Sequence, residues 1–132
     1  MPSGQAPKVT AIQSWIPGQT AGTDADEVIG RAPFAGRVTR CSLTPEAAVT
    51  GATATKRTFT LVNKGTAGTG TAVLATLDLV TGTDLVAFDE KDFTLASDAS
   101  VAQGDVLAVV ETHASTGTAH SGGQVVVEIT RD

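Results

Sequence analysis

Imidazoles, thiols and paired carboxylates are the side chains from which catalytic and metal sites are made, and this chain holds few of them. Its two histidines, His113 and His120, stand seven positions apart across a stretch rich in Gly, Ser and Thr. A metal site of the cupin kind asks for two close histidines on one strand, with a carboxylate and a further histidine, and this spacing supplies neither. His120 and Ser121 can be combined with Asp105 or Glu111 into a hydrolytic triad on paper, but no nucleophile elbow surrounds Ser121. Asp24, Asp26 and Glu27, and again Asp89, Glu90 and Asp92, offer oxygen ligands at a spacing that matches no calcium loop, and read as solvated acidic turns. Asn63-Lys64-Gly65-Thr66 has the start of a guanine-reading motif, yet Thr66 stands where Asp is needed and no Gly-Lys-Ser/Thr phosphate loop is present. Gly65, Gly68 and Gly70 precede a strand rather than a helix N-terminus, so they read as a hairpin loop. The expectation is a protein without catalytic residues, without a metal and without a cofactor.

The single cysteine, Cys41, cannot form an internal disulfide. It lies in a strand-like run and reads as a small buried hydrophobe rather than a reactive thiol. No run approaches the roughly 20 apolar residues of a membrane span, and Met1-Pro2-Ser3-Gly4-Gln5 lacks the basic and apolar regions of a signal peptide. No membrane partner is expected. A net charge of −5 argues against nucleic acid, because phosphate neutralisation needs clustered Lys and Arg. The charge is uneven: residues 1–64 carry seven basic and four acidic groups, and residues 65–132 carry two basic and ten acidic ones. Either strands from the two halves interleave into a mixed solvated surface, or a basic side of the protomer meets an acidic surface elsewhere.

The elements that must position these residues are strands. From Val9 to Thr130, short period-two apolar runs alternate with loops of Gly, Thr, Ala, Asp and Pro. That pattern predicts an all-β, single-domain antiparallel sandwich, jelly-roll-like, with about eight strands and an extended N-terminal arm. With 132 residues and only 4% aromatics, the core must be built from Val, Leu, Ile and Ala. A chain of this length buries about 68–70% of its unfolded surface, and self-association would add to a core of modest area per residue.

Along the chain, residues 1–23 read as an arm and linker and residues 24–132 as the sandwich. Met1 to Pro7 is expected to be extended or disordered. Lys8 to Ile16 is a candidate strand with Val9, Ala11 and Trp15 on one face and Ile12 and Ile16 on the other, followed by a flexible loop from Pro17 to Thr23. Trp15 either anchors the arm on another subunit or packs in its own core. Thr44 to Ala48 has the cap and Pro of one helical turn. Lys56 to Asn63 should turn Arg57, Phe59, Leu61 and Asn63 to one face. Thr71 to Val80 should turn Val73, Ala75, Leu77 and Leu79 inward. Leu85 to Phe88, Asp92 to Leu95, Val106 to Thr112 and Gln124 to Thr130 complete the set.

Three stretches carry a resemblance. Asn63-Lys64-Gly65 followed by Gly68-Thr69-Gly70, Ala102-Gln103-Gly104-Asp105-Val106-Leu107 with Gly122-Gly123-Gln124-Val125-Val126-Val127 after it, and Ala32-Pro33-Phe34-Ala35-Gly36-Arg37-Val38 resemble the small head-decoration proteins of tailed bacteriophages, particularly those of actinobacterial hosts. The resemblance covers most of residues 25–130. It implies a virion structural protein, made in the host cytoplasm, that binds the major capsid protein on the outer surface of the head and bridges capsomers, as a homo-oligomer, often a trimer. On that reading Val9, Ile12, Trp15 and Ile16 of the arm, with Arg31, Arg37, Arg40, Lys56 and Arg57, are the expected capsid or subunit contacts. The alternative is the receptor- or glycan-binding head of a virion fibre, against which stands the scarcity of aromatics for stacking on sugars.

Overall fold

The computed structural model describes residues 8–132. The reading of Met1 to Pro7 lies outside them. Ten strands follow in order: β1 (Val9–Gln19), β2 (Ala25–Arg31), β3 (Gly36–Pro45), β4 (Arg57–Gly65), β5 (Ala72–Asp78), β6 (Lys91–Asp92), β7 (Thr94–Leu95), β8 (Ser100–Val101), β9 (Val106–His113) and β10 (His120–Arg131). They form two antiparallel sheets. One runs β1-β10-β3, with β6 and β8 each pairing a different part of the far side of β3; the other runs β2-β9-β4-β5-β7. The pairings nest: β1 with β10, β2 with β9, β3 with β6 and β8, and β4 with β5. This is one long antiparallel hairpin, its tip between β4 and β5, rolled so that alternate pairs fall in opposite sheets, which is the jelly-roll topology. The expected all-β sandwich is present.

The core lies between the sheets, and the period-two pattern fills it. Phe59 and Leu61 of β4, Leu107 and Val109 of β9, Val125, Val127 and Ile129 of β10, and Leu43 and Cys41 of β3 are all fully or nearly fully buried. β4 turns Arg57, Phe59 and Leu61 inward as the alternation requires. In β5 the pattern slips. The β4–β5 register shifts between Leu61 and Val62, so that Leu61 opposes Ala75 while Val62 opposes Val73. The extra residue, Leu74, is buried and Val73 is turned to solvent, reversing the expected placement of Val73.

Three local expectations are corrected. Thr44 to Ala48 is not helical: Thr44 and Pro45 end β3, and the Glu46 N–H donates to the Gly122 carbonyl at 3.0 Å, extending the ladder instead of closing a turn. The one helical turn among the described residues is a 3₁₀ turn at Thr53–Thr55. Leu85 to Phe88 makes a single bridge, Val49 to Leu85, rather than a strand. Asp92 to Leu95 splits at buried Phe93, with β6 in one sheet and β7 in the other.

The segment expected as an arm runs as an edge strand of the body. β1 pairs β10 from Val9 to Gln19, so residues Pro17 to Gln19 belong to the strand and only Thr20 to Asp24 connect it to β2. Gly122 is needed there: its φ is +85°, and a Cβ would meet the Ile16 carbonyl oxygen at 2.3 Å.

Candidate interaction surface

The residues with chemical potential are mostly consumed inside the fold. Arg57 is fully buried. Its Nε donates to the Thr118 carbonyl at 3.0 Å and its two terminal nitrogens to the Thr23 carbonyl at 2.5 Å and the Thr20 carbonyl at 3.2 Å. It therefore clamps the β1–β2 loop to the β9–β10 loop and cannot reach a partner, which removes it from the expected contacts. Ile16 is likewise a fully buried core residue, and Ile12 is partly buried against the core, over Gly30 of β2. Both face inward because they share the parity of β1 that lies against the second sheet.

The histidines are spoken for. His120 pairs with Glu111, both buried, and its Nδ1 accepts the Gly122 N–H at 3.0 Å. Ser121 follows it on β10 with its side chain on the exposed face, so the two do not meet as nucleophile and base. His113 Nδ1 lies 2.5 Å from Asp24 Oδ1. Among the described residues no group of three or more His, Cys, Asp or Glu is placed to hold a metal ion. No helix there is long and apolar enough to cross a membrane. Cys41 is buried in β3, and desolvation, aided by the negative charge of Asp92, pushes its thiol up to about 12.

The remaining basic residues are at or near the surface and partly neutralised. Arg40 forms ion pairs with Glu90, with Glu128 at 3.2 Å and with Asp92 at 3.6 Å, while Ser42 donates to the other oxygen of Glu90 at 2.7 Å. Lys56 lies 3.6 Å from Asp78. Arg31 donates to the Gly104 carbonyl at 2.9 Å. Arg37 is exposed beside Asp98, whose carboxyl is held below its ordinary range by the hydroxyl and amide of Ser100 and, to a smaller extent, by the Arg37 charge. Around Arg40 and Lys56 the fold interleaves acidic and basic side chains, while Lys8 and Arg131 both lie over the Phe34 ring.

Three of the loops that carry the resemblance meet at one end of the sandwich. Asn63 donates to the Asp105 carboxylate at 2.8 Å, the Ala102 N–H donates to the same oxygen at 2.8 Å, and the Ala32 N–H donates to the Asp105 carbonyl at 2.8 Å. Asp105 is thereby a buried loop organiser, and the Gly104-Asp105 turn is structural chemistry.

What the surface does offer is an apolar groove on the outer face of the first sheet. Trp15, Gln124 and Thr44 sit in one row across β1, β10 and β3, each paired in register with the next. Pro45, Glu46 and Phe88 complete the lining of a depression of about 420 Å³. Trp15 is 56% exposed and Phe88 78% exposed. Trp15 therefore does not pack in its own core. Phe88 adopts a left-handed backbone (φ 61°) and is held there by its N–H, which donates to the Pro45 carbonyl at 2.8 Å. A bulky residue in that region costs about 1–2 kcal/mol, and such strain concentrates at functional positions. Alternation places Phe88 in a strand and gives no sign of this; the buried roles of Arg57, as a clamp, and of Asp105, as a loop organiser, are likewise not evident from residue type and spacing.

No family model matches this chain, and no curated protein does. Among solved structures, a chain in the structure of infectious bursal disease virus, Gx strain, aligns over 96% of this chain at 12% identity with a TM-score of 0.44. This chain spans 33% of the length of that one. A likeness of that degree says nothing about function.

Proposed function

We propose that this protein is a virion structural protein that decorates the outside of a tailed-phage head. The observation that carries the reading is the pairing of a body whose buried Arg57, Asp105 and His120 serve the fold with an exposed apolar groove, Trp15 to Phe88, beside a strained backbone at Phe88. Jelly rolls are recurrent shells, lectins and cupins, so the topology admits the role without requiring it. The resemblance of the Ala32–Val38, Asn63–Gly70 and Ala102–Val127 stretches to head-decoration proteins supplies the rest. In this reading Trp15 and Phe88 dock on the major capsid protein, and Val9, Arg37 and the outer part of the Arg40 cluster, farther along the same sheet toward its other end, add contacts outside the groove, while Arg31 stands on the second sheet. The net charge of −5 suits the outer surface of a shell better than its DNA-filled interior. The resemblance further implies that capsomers are bridged by three copies acting together.

The experiment is co-sedimentation of the purified protein with expanded empty heads of actinobacterial phages, beside a Trp15→Ser/Phe88→Asp double variant. Binding by the native chain and its loss in the variant supports the reading; no binding by either removes it. A second reading is favoured by the same groove, because two exposed aromatics flanked by Gln124, Glu46 and Thr44 also suit a sugar ring. Glycan-array binding that the double variant abolishes would establish that reading instead.

A further inference from the structure

Each sheet has two edges, and three of the four are blunted. β6, β7 and β8 are two residues long. β2 carries Asp26, Glu27 and Arg31, and its register with β9 shifts between Val28 and Gly30. Shortness, charge and bulges are the devices by which sheet edges avoid pairing with other chains. β1 has none of them over most of its length: its eleven residues, Val9 to Gln19, carry no charged side chain.

The parity of β1 determines what its open side presents. The Arg131 N–H donates to the Lys8 carbonyl at 2.8 Å, so Lys8 and the residues in step with it, Thr10, Ile12, Ser14 and Ile16, direct their backbone groups toward β10. Val9, Ala11, Gln13 and Trp15 therefore direct their N–H and C=O groups outward, and their side chains are the exposed ones. Pro17, which has no N–H to give, falls on the same open side, where proline is tolerated.

We propose that β1 pairs with β1 of a second copy of this chain, antiparallel about a two-fold axis, with Val9 opposite the second copy's Trp15 and Ala11 opposite its Gln13. That register engages every outward N–H from Val9 to Trp15. A shift of two residues one way sets Pro17 against Val9, where it adds no hydrogen bond, and moves Trp15 opposite Ala11, away from Val9; the other way leaves Trp15 beyond the end of the partner strand. In the proposed register the two large exposed apolar side chains of β1, Val9 at 55% and Trp15 at 56%, stand directly opposite each other on the outer face. An aromatic and a β-branched residue make a favourable cross-strand pair. An uncharged strand meets itself without the like-charge repulsion that β2 would suffer. The contact is isologous, so it yields pairs of chains rather than the three that the resemblance implies.

The test is sedimentation of the full chain from micromolar to near-millimolar concentration, beside Ala11→Lys, Gln13→Lys and, as control, Val28→Lys on β2. All three positions are exposed, so thermal melting should confirm that each variant folds. The native chain and the β2 variant should reach the mass of two chains, and each β1 variant should weaken that association by on the order of tenfold or more. Amide exchange at the higher concentration should show Ala11, Gln13 and Trp15 protected in the native chain and exposed in the β1 variants. A mass of one or three chains throughout, or β1 variants that associate like the native chain, overturns the pairing. Binding to empty heads is scored separately: chains that pair without binding heads refute the decoration role alone, and single chains that bind heads refute the pairing alone.

Discussion

His120 of β10 and Glu111 of β9 join the two sheets through a hydrogen bond in the interior of the sandwich. Because Nδ1 of His120 accepts the Gly122 N–H, the ring proton lies on Nε2 and is donated to Glu111 Oε1. Oε2 of Glu111 meets no hydrogen-bond partner among the described residues. The imidazole also meets the Phe59 ring edge-on, with centroids 5.0 Å apart. Replacing His120 by Ala would leave a fully buried carboxyl with no donor at all, and should lower stability by ~3–5 kcal/mol in chemical denaturation. Glu111→Gln keeps an acceptor and should lose less, about 1–2 kcal/mol. Equal and small losses for the two variants would mean that the pair does not hold the sheets together.

Arg57 extends the same end of the fold. It is two positions from Phe59, the residue that opposes Glu111 across the β4–β9 ladder, and its side chain enters the interior on the same face. Arg57→Lys should not rescue the clamp, since one ammonium cannot span the carbonyls of Thr20, Thr23 and Thr118 that the guanidinium fork reaches. The expected result is a loss of several kcal/mol for Arg57→Ala, with Arg57→Lys recovering less than half of it, and increased amide exchange in residues 20–23 and 116–119 in both. Full recovery by Lys would show that charge rather than geometry matters here.

The same interior explains what was legible in the sequence. Alternation found β4, β9 and β10, because Phe59, Leu61, Leu107, Val109, Val125 and Val127 obey the period that burial between two sheets imposes. Val73 and Leu74 defeated it, since a bulge depends on which partner strand arrives and where. Arg57 read as a surface cation for a related reason: only the folded loops bring three carbonyls to it. The arm-like reading of residues 8–23 failed on Pro17 and Gly18, which look like loop residues but are tolerated at the end of an edge strand whose neighbour bends at Gly122. Deleting residues 1–22 would therefore expose β10 and the core around Ile16, and substitutions at Trp15 test binding more cleanly than truncation does.

Cys41 gives the fold a dependence on alkaline pH. Its thiol is raised in the folded state from the ordinary 9.0 to about 12, so the folded form holds its proton more tightly than the unfolded chain does. The stability this represents is complete below pH 9 and is lost as pH rises through the range from 9 to 12, with a slope of up to ~1.4 kcal/mol per pH unit. Denaturation of the native chain and of Cys41→Ala at several pH values should show the extra slope in the native chain alone. Native protein should also resist thiol reagents near neutral pH, reacting only once denaturant is added. Parallel slopes would mean the thiol is better solvated than its burial implies.

Phe88 separates function from stability. The residue is 78% exposed while its backbone occupies a region that costs a bulky residue about 1–2 kcal/mol, so the fold gains little from having it there. Glycine enters the left-handed region without that penalty but loses more chain entropy on folding, which offsets part of the gain. Phe88→Gly should therefore leave stability unchanged or raise it by up to about 1 kcal/mol, visible as an unchanged or higher melting temperature. The same variant should weaken binding at the groove, whether the ligand is a capsid surface or a sugar, because it removes one of its two aromatic walls. A Phe88→Gly protein that melts well below the native chain would show instead that the ring packs against Trp15 or Pro45 to support the sheet, and the strain would then have a structural cause.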